Sequence, residues 1–169
     1  MKHLLLSTVL ILGSVGLATA QQKKAPASPA AEATATIDGQ AVAIKYNSPF
    51  VKGRKIFGEL VPFGKVWRAG ANAATSLHTE TGLIIGTLAV PKGDYTLYVI
   101  PDEKEWTLVV NKQTGQWGTV YSEANDLGRT KMKVKAASAL VESFKITLTD
   151  KALGMEWENT TATVAIRAK

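Results

Sequence analysis

The chain contains no cysteine and only two histidines among its 169 residues. The first absence excludes disulfides, thiolate nucleophiles and every cysteine-based metal site. The second leaves little imidazole for metal ligation or proton transfer, so no cofactor and no metal are expected. Charged residues make up 20% and hydrophobic ones 46%. That balance argues against a disordered chain and against a polytopic membrane protein. It is the composition of one globular domain.

What is present begins with an address. Met1-Lys2-His3 is a short basic start, Leu4 to Leu17 carries no charge, and Ala18-Thr19-Ala20 is a small-x-small site. These are the three parts of a secretory signal peptide over residues 1–20, with cleavage expected after Ala20. The apolar run is short for a bilayer span. The expected product is exported, to the periplasm or beyond, with no integral span after cleavage. Residues 21–35, QQKKAPASPAAEATA, hold no large apolar side chain. Such a segment buries too little to offset its ordering entropy and reads as a flexible linker.

Residues 36–169 carry apolar side chains at period two, the pattern of strands. Thr34–Ile37 and Ala41–Tyr46 flank Asp38-Gly39, a hairpin signal. Tyr95–Ile100 and Trp106–Val110 flank a polar loop and should pair antiparallel. Lys131–Lys135 alternates with lysines on its wet face, and Phe144, Ile146 and Leu148 point one way. Met155–Trp157 and Thr161–Ile166 read as a closing pair of strands. Tyr121–Leu127 and Ala136–Leu140 are short helix candidates. The fold class expected is all-β, a single antiparallel sandwich of jelly-roll or Ig-like type.

Formal net charge is +6. Between Lys45 and Arg68 lie six basic residues (Lys45, Lys52, Arg54, Lys55, Lys65, Arg68) and one acid, Glu59, a local excess of +5. The other basic group, Arg129 to Lys135, fits a solvated strand face. No aromatic–basic nucleic-acid motif accompanies either group, and export separates the chain from nucleic acid, so none is expected as partner.

The window ends in Gly53–Asn72, GRKIFGELVPFGKVWRAGAN, too rich in glycine and proline for a plain strand. It reads as an ordered loop entering a strand near Val66. With AVPKGDYTLYVIP (89–101), EWTLVVNKQTGQWG (105–118) and MEWENTTATVAI (155–166), it resembles, in order, the bacterial exported family of unknown function DUF2911. The resemblance implies export and a β-rich domain, and no established activity. One departure is Ala73, where the family pattern has Glu after Gly-Ala-Asn; any shared reaction needing that acid would be missing here.

Arg54 and Arg68 can clamp a carboxylate or phosphate in bidentate fashion. The competing reading pairs them with Glu59 or Glu158 as loop fasteners. Trp67, Trp106 and Trp157 lie in strand patterns and read as core. Trp117 lies in a turn-rich loop, where it either stacks on a ligand or caps the core. Asn72 and Asn111 can orient a ligand or satisfy their own turns. With Lys112 these residues form a candidate binding face for an anionic or glycan-like ligand: Arg54, Arg68, Asn72, Asn111, Lys112 and Trp117. The function expected is a non-enzymatic binding or structural module. The alternative is an envelope hydrolase using His78 or an acid pair. Ser76, His78 and Glu80 share one strand face, yet alternate side chains stand roughly 6.5–7 Å apart, and no nucleophile elbow is present.

Overall fold

In the computed structural model, residues 27–169 are described. The leader, its cleavage site and the start of the linker lie outside them. Nine strands follow one another: β1 (Ala30–Ile37), β2 (Gln40–Asn47), β3 (Thr75–Thr79), β4 (Leu83–Ile85), β5 (Leu88–Val90), β6 (Gly93–Ile100), β7 (Glu105–Asn111), β8 (Asp126–Leu148) and β9 (Ala152–Ala168). They form one antiparallel sheet in the order β1-β2-β3-β6-β7-β8-β9-β4-β5. The fold is all-β, as the period-two pattern requires. The strands are hydrogen-bonded in one sheet that does not close into a barrel.

Local chemistry explains most of the boundaries. Ile37 pairs with Gln40 across Asp38-Gly39, whose φ values of 52° and 72° suit a two-residue hairpin turn. The β6–β7 pair forms across the polar loop, from Thr96↔Asn111 to Ile100↔Thr107. In β8, Lys131, Lys133 and Lys135 are exposed and Met132 is buried between them. Lys131 reaches Glu105 at 3.1 Å, and Arg129 pairs with Asp126 and Glu123, both at 2.9 Å.

Four expectations change. β1 starts at Ala30, inside the segment read as linker. Its backbone pairs with β2 from Ala30↔Asn47 onward, and Ala33 is buried, so small side chains suffice where a ladder supplies the hydrogen bonds. Ala136–Leu140 is strand, the irregular middle of β8, where the register with β9 shifts between Ala136 and Val141. Tyr121–Leu127 holds only a 3₁₀ turn, Glu123–Asn125, before β8 begins. Met155–Trp157 and Thr161–Ile166 are not partners of each other. Both belong to β9, with Glu158 at φ 53° between them.

The long strands bend the sheet back on itself. Phe144 N–H donates to Pro49 O at 2.8 Å, Val51 N–H to Glu142 O at 2.7 Å, and Ile146 N–H to the Tyr46 hydroxyl at 3.0 Å. The distal half of β8 thereby meets the chain leaving β2. Between them lies an aromatic core. Trp67 and Trp157 stack at 5.5 Å and 16°, and Phe144 packs edge-on to both. Phe57 lies 4.7 Å from Trp106. Such pairs add about 0.5–1.5 kcal/mol each beyond their burial.

Candidate functional site

The loop between β2 and β3 caps this core and builds the site. Its apolar residues Val51, Ile56, Phe57, Val61 and Trp67 are buried, so the loop is pinned by packing. Trp67 exchanges two 2.8 Å backbone hydrogen bonds with Val99 of β6 as an isolated bridge, and the strand expected near Val66 begins only at Thr75, because the turn after Trp67 interrupts the extended backbone. Beyond Trp67 the backbone is contorted. Ala69, Gly70 and Asn72 have φ of 49°, 155° and 59°. Three contacts hold this turn: Thr75 Oγ1 donates to Ala69 O at 2.8 Å, Ala71 N–H to Asn47 O at 3.1 Å, and Gly118 N–H to Asn72 O at 3.1 Å. Left-handed conformations at non-glycine residues cost roughly 1–3 kcal/mol each. The turn thus holds a high-energy geometry beside the charged residues.

The result is a cleft of about 390 Å³ between the loop and β9. Lys52, Arg54, Arg68 and Asn72 line it, over Phe50, Leu60, Val61, Trp67 and Trp157. Among the described residues three cations border it and no carboxylate does. Three of the six sequence-derived candidates, Arg54, Arg68 and Asn72, therefore converge.

The two arginines differ. Arg54 Nε donates to Val51 O at 3.0 Å and a terminal nitrogen to Phe50 O at 2.6 Å, so this guanidinium closes its own turn. Arg68 is half-buried and has no ion pair among the described residues; its Nε is buried without any acceptor. Burial lowers its pKa from the ordinary arginine value. Its stem passes beneath Gly118, where a Cβ would collide with the Arg68 side chain and lie 2.6 Å from Asn72 O. The two glutamates considered as fasteners are engaged elsewhere. Glu59 pairs with Lys55 at 3.6 Å, and Glu158 accepts Ile56 N–H at 3.3 Å. A second orphan donor, Trp157 Nε1, belongs to a ring bordering the same cleft.

The other three candidates lie apart. Asn111 is buried and fully used: its amide donates to Ser122 O at 3.0 Å and Asp126 Oδ1 at 2.8 Å, while its oxygen accepts Gln113 N–H at 3.0 Å. It organises its own turn. Lys112 is exposed, and its backbone N–H binds Asn125 O. Trp117 is 58% exposed and does not line the cleft; its backbone bridges Ala73, the position of the departure from the family pattern. Lys52, Leu60 and Trp157 are among the cleft residues that sequence reasoning left out. Lys52 was visible in the basic window. Trp157, far along the chain, gave no local signal.

His78 sits on the outer surface of the sheet. Its Nδ1 meets Asp94 at 2.8 Å and its Nε2 meets Glu80 at 2.9 Å; Glu80 also takes Lys92 at 2.6 Å. The hydrogen bond to Asp94, then that to Glu80, raises the imidazole pKa, and Lys92, then His78, lowers that of Glu80. Both ring nitrogens face carboxylates, and Ser76 takes no part, so nothing in this geometry supports the hydrolase alternative. No group of three or more His, Asp or Glu placed to hold a metal occurs among the described residues.

Comparison with known proteins identifies the chain at the family level. The family model described as protein of unknown function, DUF2911, matches residues 28–166, and the chain belongs to that family. No curated protein and no solved structure matches it.

Proposed function

We propose that this DUF2911 protein is an exported binding module of the cell envelope that holds a small anionic ligand in the cleft of Lys52, Arg54 and Arg68. One observation carries the reading. Arg68 is a half-buried guanidinium with no counter-ion among the described residues, in a cleft that these residues border with two further cations and no acid. Removing such a group from water is costly unless it is paired. A buried polar group without a partner calls for a specific explanation, and a bound ion is one of them. A ligand carboxylate or phosphate supplies the missing partner and gains a charge-assisted, bidentate contact.

The leader read in residues 1–20 supports delivery outside the cytoplasm, and its removal is checked by the N-terminal sequence of the protein recovered from the periplasm or medium. Binding is tested by calorimetric titration with acetate, glucuronate and inorganic phosphate. The expected result is saturable binding of at least one of them to the wild type and none to Arg68→Met. Equal responses of the two proteins would leave the cleft a purely structural feature.

A further inference from the structure

The make-up of the cleft narrows the ligand class, and this step rests on the anion-binding reading above. We propose that the ligand is a small monocarboxylic acid with an apolar body, bound in preference to hydroxyl-rich acids and inorganic anions.

Size limits the choice first. A volume of about 390 Å³ lies near the lower end of small-molecule sites, roughly 300–1,000 Å³. A site of that size suits one small molecule. The number of free donors limits the charge. Arg54 has committed two nitrogens to the Val51 and Phe50 carbonyls. The Lys52 ammonium lies 5.9 Å above the Phe50 ring centre, at an exposed site. Arg68 is left as the one uncommitted fork, which matches one carboxylate head.

The rest of the wall decides what the head is attached to. Apart from Ser28 and Asn72, the lining side chains among the described residues offer no hydrogen-bond acceptor. Each hydroxyl of a sugar acid brings a donor, and a donor that leaves water without an acceptor is penalised. Trp67 and Trp157 stack on each other at 5.5 Å, and Trp157 is 1% exposed, so that ring offers no open face to a sugar. Leu60, by contrast, is 48% exposed on the rim and Val61 lies buried beside it. An apolar body placed there removes the leucine from water; an inorganic anion or a polyol cannot.

The test uses three probes at equal ionic strength: phenylacetate, glucuronate and inorganic phosphate. Affinities are measured by calorimetry for the wild type, Arg68→Met and Leu60→Ser. Phenylacetate is expected to bind about tenfold or more tightly than the other two, the equivalent of one modest apolar contact. Leu60→Ser should weaken phenylacetate several-fold and leave phosphate unchanged; being exposed, the position tolerates the change without loss of fold. Arg68→Met should abolish all binding. If glucuronate or phosphate binds as tightly as phenylacetate, or Leu60→Ser changes nothing, the apolar-acid assignment is overturned while anion binding stands. If no probe binds the wild type, both readings fall together.

Discussion

An uncompensated guanidinium should trade stability for binding, and Arg68→Met isolates the trade. Methionine retains an unbranched stem under Gly118 and removes only the charged fork. Leaving a buried donor unsatisfied costs about 1–3 kcal/mol. The partial exposure of Arg68 and solvent screening put the cost at the low end, about 1 kcal/mol. The variant should therefore be more stable than the wild type in ligand-free buffer, with a Tm higher by about 2–4 °C for a chain of this size. Arginine keeps its proton across the accessible range, so the gain should not vary with pH around neutrality. Ligand reverses the order. At a concentration of about 100 Kd it adds about 2.7 kcal/mol to the wild type and nothing to the variant. Scanning calorimetry in a zwitterionic buffer, with and without phenylacetate, reads both effects. A ligand-free variant less stable than wild type by about 1 kcal/mol or more would refute the reasoning, because Arg68 would then be a structural clamp.

Three further outcomes are expected. Gly70→Val places a Cβ 2.9 Å from Asn47 O at a φ of 155°; it should lower stability by about 3 kcal/mol, and an unchanged urea midpoint would contradict the strained-turn account. Gly118→Ala should displace the Arg68 stem and lose ligand binding; Arg68→Ala in that background should recover only part of the stability, because the clash with Asn72 O persists, and full recovery would argue that the backbone gives way freely. His78 should titrate above the usual 6.5, owing first to Asp94 and then to Glu80. A pKa raised on folding stabilises the fold fully below the unfolded value, and that contribution is lost as pH rises through the folded value. Proton NMR of the imidazole reads the midpoint, and a value at or below 6.5 in the wild type, or no fall in Asp94→Asn, would remove the network.

How far the sequence carried depended on the range of the signal. The Asp38-Gly39 hairpin, the β6–β7 pair and the lysine face of β8 were legible because turn chemistry and period-two alternation act between near neighbours. The burial of Trp67, Trp106 and Trp157 followed from the same pattern. Ala136–Leu140 misled because alanine-rich runs favour helix, and only the pairing of β8 with β9 overrides that preference. β1 misled because the hydrogen bonds that order Ala30–Ala35 belong to β2 and carry no mark in its own composition.

The site divides in the same way. The sequence by itself determined an all-β chain of the DUF2911 family, with a local excess of cations on a glycine-rich loop. It could not determine which of those cations would be neutralised. That was decided when the sheet curled and Glu142 and Glu158 were drawn to the Lys52 and Ile56 amides, while Glu59 met its near neighbour Lys55. Arg68 was thereby left half-buried and alone beside Trp157. Charge is written residue by residue, whereas its compensation depends on distances set by the whole fold.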